Sequence, residues 1–239
     1  MKETILVTGG SNGIGFETLR LLSQNYFVYN LDFQKPKEAL ENTKWIPIDL
    51  SKSLEETKLE ISKLDLGKIS GLVGVVHVAG FGGPYETIEK VQTQTYEKIL
   101  NTNLTSLVAI LQIFLPILAK NQFGRIVAIA SSLSLVGSKN SAIYSASKHA
   151  LVGLIRSVAD EWGSYNITAN CISPGFVNTK MGIREEEVQD HLKSILEKTP
   201  SKKIAEPFEI ARVVEFLLKR ESDYVNGANW TVDGGITAI

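Results

Sequence analysis

The sequence predicts an α/β fold: a single domain built on one doubly wound parallel sheet of about seven strands, with helices on both faces. Short β-rich apolar runs alternate with longer helical patterns from one end of the chain to the other. Several of those runs are continuously apolar, as in Leu72-Val73-Gly74-Val75-Val76, which suits parallel strands covered on both faces. No repeat, low-complexity segment or linker interrupts the alternation, so the 239 residues read as one domain, 1–239.

Taken in order, the first strand candidate is Thr4–Thr8, which runs through a glycine-rich turn into the helical stretch Ile14–Gln24. Phe27–Asp32 and Trp45–Asp49 follow as strands, then the helix Leu54–Leu64. Leu72–Ala79 is the fourth strand, Thr95–Lys120 a long helix, and Arg125–Ser131 the fifth strand. Ala142–Trp162 is helical and Asn166–Ser173 is the sixth strand. Pro174 to Pro207 is the least regular part, polar and helical over Glu185–Lys198, where Pro174-Gly175 stops the strand abruptly. It reads as a substrate lid, 176–206, within the domain, or as a plain surface excursion. Pro207–Lys219 and Asn229–Val232 close the pattern, and right-handed βαβ units are expected throughout.

Composition narrows the function. At 44% hydrophobic and 21% charged residues there is enough apolar material for a sizeable core. A net charge of −1 leaves no electrostatic footprint for nucleic acid or an anionic membrane, so neither is expected as a partner. The run Glu185-Glu186-Glu187 reads as a solvated helix face. The single cysteine, Cys171, cannot form an internal disulfide, which fits a reducing compartment, and its apolar setting suggests a buried thiol. His77, His149 and His191 show no metal-ligand spacing, so no metal is expected. Ile5 to Val7 is too short for a signal peptide and no stretch approaches a membrane span, which points to the cytoplasm.

The first strand leads straight into Thr8-Gly9-Gly10-Ser11-Asn12-Gly13-Ile14-Gly15. Glycines there allow a tight turn and let backbone N–H groups approach a diphosphate, while the helix N-terminus behind adds a favourable dipole. Asp32 ends the second strand, seventeen positions beyond Gly15. A carboxylate in that place accepts hydrogen bonds from the adenosine ribose and repels a 2′-phosphate, so the residues favour NAD over NADP. Lys35 is the nearest cation. Asp49, at the end of the third strand candidate, is placed for the adenine rim, and either aspartate could instead serve only a turn.

Tyr144 and Lys148 lie four apart in a helical pattern and so share one helix face. A free phenol titrates near about 10, and a neighbouring ammonium brings it toward the working range. Ser131, thirteen residues earlier, ends a strand from which its hydroxyl can reach the same carbonyl oxygen.

With these residues in place the chain resembles the short, single-domain branch of the short-chain dehydrogenase/reductase family over nearly its whole length. The family's motifs occur in order: Thr8-Gly9-x-x-x-Gly13-Ile14-Gly15, Asp49-Leu50, Asn103, Ser131, Tyr144-x-x-x-Lys148 and Pro174-Gly175. The resemblance implies a Rossmann-type sheet with Gly9, Ser11, Asn12, Gly13, Ile14, Gly15, Asp32, Asp49, Leu50, Ala79 and Gly80 on the cofactor. It implies Tyr144 as the general acid/base, Ser131 polarising the carbonyl, and Lys148 lowering the tyrosine and holding the nicotinamide ribose. Asn103 would anchor a water leading from Lys148, with Asn101 as the other reading. Pro174 and Gly175 would also lie on the cofactor, and Val177 and Thr179 would hold the carboxamide of the nicotinamide, fixing the ring face that delivers hydride. One departure stands out: His77-Val78-Ala79-Gly80 replaces the usual Asn-Asn-Ala-Gly, which makes His77 a candidate sheet brace, satisfied in the core. His149 points about 100° away from Lys148 around the helix and is read as structural.

The leading expectation is an NAD-dependent dehydrogenase or reductase of small, mainly apolar secondary alcohols and ketones. The alternatives are an NADPH-dependent reductase of acyl-thioester ketones and a non-catalytic NAD(H)-binding sensor or scaffold. Phe81, Gly82, Leu133, Val136, Phe176 and Met181 are expected near the substrate, with Lys180 and Arg184 on the lid as the cations that could meet a carboxylate or phosphate. The resemblance also implies a homo-oligomer, a tetramer or dimer, built on the two long helices with the C-terminal strand at a second interface. The small residues Ala146, Ser147, Ala150 and Gly153 suit close helix contact, across an interface or against the chain's own sheet.

Overall fold

In the first strand, β1 (Thr4–Thr8), the side chains divide by parity: Ile5 and Val7 join one core cluster and Leu6 the other. A strand alternates its side chains between the two faces of a sheet, so a continuous apolar run feeds two cores at once. β5 (Gly124–Ile129) does the same, with Ile126 and Ala128 on one side and Val127 and Ile129 on the other. The computed structural model describes residues 2–63, 69, 71–181 and 188–238.

The other strands are β2 (Phe27–Asp32), β3 (Thr43–Pro47), β4 (Leu72–His77), β6 (Ile167–Pro174) and β7 (Asn229–Val232). All seven pair in parallel in the order β3-β2-β1-β4-β5-β6-β7. The helices among the described residues are α1 (Gly13–Leu22), α2 (Leu54–Ser62), α3 (Thr93–Leu100), α4 (Ser106–Lys120), α5 (Ala142–Trp162), α6 (Val188–Lys198) and α7 (Pro207–Leu218). One core packs α4 and α5 on the sheet through Leu107, Phe114, Leu151 and Ile155. The other packs α1 and α7 through Leu19, Leu22, Ile210 and Val214. Each such side chain, fully buried, contributes about 1.5–3 kcal/mol of transfer free energy. The chain builds outward from β1 to β3 and then returns to place β4 on the other side of β1. That reversal opens a crevice outside the carboxyl ends of β1 and β4, where doubly wound sheets bind their ligands.

Several boundaries differ from the sequence reading. β3 lies earlier than expected and ends at Pro47, so Asp49 stands two residues beyond the strand and is exposed. β5 ends at Ile129, so Ser131 follows the strand in extended backbone (φ −170°) and starts a short 3-10 turn, Ser132–Ser134. The long helix is α3 and α4 joined by a π-helical turn, Asn101–Thr105.

The expectation that no stretch approaches a membrane span is corrected here. The continuous helical run Thr93–Lys120 is 28 residues long, with a mean hydropathy of 1.8 in its most apolar window and 56% of that window buried. Its apolar residues supply core contacts, Leu107, Ile110, Phe114 and Leu118 being almost wholly enclosed.

Of the expected lid 176–206, residues 182–187 lie outside the described residues, and with them Arg184, the run Glu185 to Glu187 and the start of the expected helix Glu185–Lys198. The two ends of the segment meet: Val177 and Ala205 form a parallel bridge, Asn178 N–H donates to Ala205 O (2.8 Å) and Ala205 N–H to Phe176 O (3.0 Å).

Candidate active site

Each glycine of the first turn answers a close approach. Gly9 has φ +66°, and a Cβ there would stand 2.7 Å from the Ala79 backbone. At Gly15 a Cβ would lie 2.0 Å from Gly9 O, and at Gly13 (φ +50°) it would meet Thr179 Cγ2 at 2.9 Å. The turn therefore brings together β1, the Ala79-Gly80 loop after β4 and the segment after β6. Asn12, the N-cap of α1, gives no side-chain bond to the first helical turn. An uncapped helix start behind a glycine cradle that any side chain would fill suits the diphosphate of a dinucleotide. Once bound there, a nicotinamide dinucleotide supplies or takes up hydride.

The turn is sewn to the end of β2. Gly10 N–H donates to Asn30 Oδ1 (3.0 Å) and Ser11 N–H to Asp32 Oδ2 (3.0 Å), while Ser11 Oγ donates to Gln34 O (2.6 Å). Asn12 Nδ2 reaches Gln34 Oε1 at 2.8 Å. Both polar handles of Ser11 thus face β2 and its following loop. Asp32, only 7% exposed, also accepts from Gln34 N at Oδ1 (2.9 Å), which makes it a brace of the turn; each carboxylate oxygen still has a further lone pair to offer. Asn30 and Gln34 were not anticipated, although a polar residue inside the apolar run Phe27–Asp32 was a usable signal. At the other rim Asp49 Oδ1 accepts from Ser51 N (2.9 Å) and Ser51 Oγ (2.7 Å), beside buried Leu50. Partial burial raises the Asp49 pKa, yet these bonds and the Lys52 and Lys98 charges outweigh it and hold the carboxyl below its ordinary value.

His77 is fully buried at the end of β4, and its bonds fix its tautomer. Nε2 lies 3.3 Å from Asn103 O, which can only accept, so the proton sits on Nε2. Nδ1 then accepts from Thr8 Oγ1 (2.9 Å), and Thr8 Oγ1 accepts in turn from Ala79 N–H (3.2 Å). Burial and the nearby Lys148 charge push the imidazole down to about 3, so it is neutral. The histidine braces β1, β4 and the π turn together and carries no proton chemistry at neutral pH.

Asn103 lies inside that π turn, a local widening of the helix that turns its side chain inward. Its Oδ1 accepts from Phe81 N (2.7 Å), while Nδ2 donates to Phe81 O (3.2 Å) and to Ser147 Oγ (2.9 Å). Asn101 instead donates to Ser51 O, so of the two asparagines only Asn103 turns inward to Phe81 and Ser147. Ser147 Oγ donates to Tyr144 O (2.7 Å) and so ties Asn103 to the tyrosine helix; a mid-helix serine beside Lys148 was the unread signal.

Tyr144 occupies the first turn of α5, where Ser131 acts on its phenol. Desolvation pushes the phenol up to about 12, against the lowering effect of Ser131 and with a further upward push from Tyr85. Lys148, 3% exposed, is pushed down to about 8 by burial. Its Nζ donates to Ile129 O (2.8 Å) and stands 5.7 Å from the Tyr144 ring centroid. Ser131 exerts a downward influence on the phenol in this arrangement. Gly80 packs beside both Lys148 and Asn103: a Cβ there would lie 3.6 Å from Lys148 Nζ and 3.7 Å from Asn103 Oδ1, within ordinary contact. Ser131 Oγ accepts from Leu133 N (3.1 Å), an arrangement that aims the serine proton elsewhere. His149 donates from Nδ1 to Ser145 O (2.9 Å) and Cys171 is buried, its thiol pushed up to about 12 by burial; neither acts in the site.

After β6, Gly175 passes so near Asp233 that a Cβ would stand 2.8 Å from its Cα. Val177 is buried and Thr179 reaches over Gly13. An open cleft of about 650 Å³ lies between Leu135 and Val136 and the C-terminal stretch from Thr231 to Ala238. Of the residues expected near the substrate, Val136 lines it.

A family model described as enoyl-(acyl carrier protein) reductase matches residues 12–237. The chain belongs to the short-chain dehydrogenase/reductase family. A tropinone reductase homolog of Arabidopsis thaliana is 32% identical over 98% of this chain and 92% of its own length. A 4-hydroxyisoleucine dehydrogenase complexed with NADH superposes over the full length of both chains with a TM-score of 0.88 at 28% identity. The enzyme ElxO with NADP bound does so with a TM-score of 0.86 at 26% identity. As a short-chain dehydrogenase/reductase the protein is an oxidoreductase of alcohol and carbonyl groups that uses a nicotinamide cofactor.

Proposed function

We propose that this short-chain dehydrogenase/reductase uses NAD(H) to interconvert small, mainly apolar secondary alcohols and ketones. The observation that carries the reaction is the Tyr144 phenol, acted on by Ser131 and one helical turn from buried Lys148. In the reductive direction Tyr144 Oη–H would give its proton to the substrate oxygen. A phenol held neutral is ready for that role at pH 7. Ser131 Oγ–H donates to the same oxygen and polarises the carbonyl. In the oxidative direction Tyr144 must first give up its own proton; its phenolate, whose charge Lys148 offsets, then takes the alcohol proton and becomes neutral. Asn103, fixed to Phe81 and Ser147, holds the lysine side of the site.

The choice of NAD rests on Asp32, whose carboxylate lies against the glycine turn where a 2′-phosphate would meet its charge. The NADP-bound neighbour keeps an NADPH-dependent reductase as the second reading. The bridged ends at Val177 and Ala205, with α6 between them, are read as the base of a substrate cover. A homo-oligomer is supported by the exposed apolar edge at β7, where Phe216, 40% exposed, stacks on Trp230 and Tyr224 is fully exposed.

The test is NAD⁺ reduction across secondary alcohols, polyols, hydroxy acids and sterols, with Tyr144→Phe and a comparison of NADH and NADPH dissociation constants. Turnover lost by at least about a hundredfold in the variant supports the mechanism. Tighter NADPH than NADH binding would overturn the cofactor assignment, and NADH binding with no turnover on any substrate would favour a sensor.

A further inference from the structure

We infer that Ser134, Ser173 and Asn229 form a positioning ring that sets the acid–base side chains in register with the segment that receives the nicotinamide. The three side chains come from separate elements and close a triangle. Ser173 Oγ donates to Asn229 Oδ1 at 2.7 Å, and Asn229 Nδ2 donates to Ser134 Oγ at 3.4 Å. Ser173 has one proton and gives it to the amide oxygen, so the 2.8 Å contact between the two hydroxyls is a donation from Ser134 to Ser173. The donors run head to tail, and each serine hydroxyl both gives and accepts, the arrangement in which hydrogen bonds strengthen one another. Ser134 and Ser173 are 6% and 0% exposed, so water does not compete for them.

The ring has two arms. Ser134 ends the 3-10 turn Ser132–Ser134, and its N–H donates to Ser131 O (2.8 Å). The same turn supplies Leu133 N–H to Ser131 Oγ (3.1 Å), and Ser131 is the residue that lowers the Tyr144 phenol. A series of bonds therefore runs from the ring through the turn to Ser131, beside the proton-transferring group. On the other arm, Ser173 immediately precedes Pro174-Gly175 in β6, and Asn229 begins β7. One small polar ring thus joins the proton side of the reaction to the hydride side, where a misplacement of about 1 Å can cost on the order of a hundredfold in rate.

None of the three touches the reacting atoms, so they are positioning residues, and the inference rests on the acid–base reading of Ser131 and Tyr144. The experiment uses the full chain and Ser173→Ala, with Asn229→Ala at a half-buried position on the sheet edge should the first variant not fold. Amide hydrogen exchange at Leu133 and Ser134 is expected to quicken by at least roughly tenfold while β1 and β4 stay protected. With NADH and 2,3-butanedione as the probe, kcat is expected to fall about ten- to a hundredfold, NADH affinity to hold within about twofold, and the isotope effect from deuterated NADH to rise. A lower melting temperature with unchanged exchange at Leu133 and unchanged kcat would overturn the ring's role and leave it a core polar cluster. If Tyr144→Phe turns over like the wild type, the acid–base reading itself fails. If Tyr144→Phe is inactive while Ser173→Ala runs at full rate, only the ring fails. Should the wild type not turn over butanedione, exchange at Leu133 decides.

Discussion

At the scale of single residues, His77 shows how a departure from a family pattern is absorbed. A histidine in place of asparagine gains reach: one ring nitrogen meets Thr8 and the other spans to Asn103 O. The consequence is a dependence on pH. The unfolded chain takes up a proton near 6.5, whereas the folded imidazole, pushed down to about 3 by burial, does not. Between those values the unfolded state binds more protons, so stability falls as pH falls from 6.5 toward 3, by up to about 1.4 kcal/mol per pH unit. His77→Asn is expected to cost about 1–2 kcal/mol at pH 7 through lost contact and a small cavity. The variant lacks the acid penalty, so urea unfolding at pH 5 should find the two proteins nearly equal in stability. A gap that stays the same at both pH values would mean that His77 is not held neutral in the fold.

At the scale of elements, the glycine turn makes a prediction that sequence spacing alone does not. Gly13→Ala places a methyl 2.9 Å from Thr179 Cγ2 on a backbone at φ +50°. NADH affinity is expected to drop at least about tenfold, from strain and from the displaced Thr179 segment together. Thr179→Ser removes Cγ2, so the double variant should recover part of the loss, and a fluorescence titration of all four proteins reads the coupling. Strictly additive losses would show that the contact does not matter. The turn itself was legible because its glycines lie within seven residues of one another. So were the seven strands, since apolar runs declare themselves locally. The Ser134–Ser173–Asn229 ring was not, because its members are 39 and 56 residues apart and each reads alone as an ordinary polar residue. The π turn was missed for another reason: Asn101–Thr105 keeps a helical pattern, and only the inward side chain of Asn103 betrays the widening. Ser131 was placed on the strand because apolar character continues through Ala130, although pairing to β6 ends at Ile129.

At the scale of the whole molecule, chemistry and stability occupy opposite edges of the sheet. The crevice lies beyond the carboxyl ends of the strands, while the amino end of β5 carries Arg125, 1% exposed. Its guanidinium bonds only to carbonyls: Nη1 to Gly124 O (2.9 Å) and Asn166 O (3.1 Å), Nε to Lys219 O (3.2 Å), and Nη2 to Arg220 O (3.5 Å). Two of these follow the end of α7, where carbonyls lack helical partners and a cation is favoured. The Phe123 ring lies 4.2 Å from its Cζ and 4.1 Å from that of Arg220. Arg125→Met retains volume but removes the four guanidinium hydrogen bonds to carbonyls, which should cost about 2–4 kcal/mol. For a chain of this size that corresponds to a melting temperature lower by roughly 5–15 °C. Arg125→Lys should fall between, since one ammonium cannot span the carbonyls that the planar fork reaches. Because the clip is a full strand length from the crevice, NADH affinity at 25 °C should stay within about twofold in both variants. Calorimetry with NADH titration checks the separation, and an affinity that falls in step with the melting temperature would show that the two edges of the sheet are coupled.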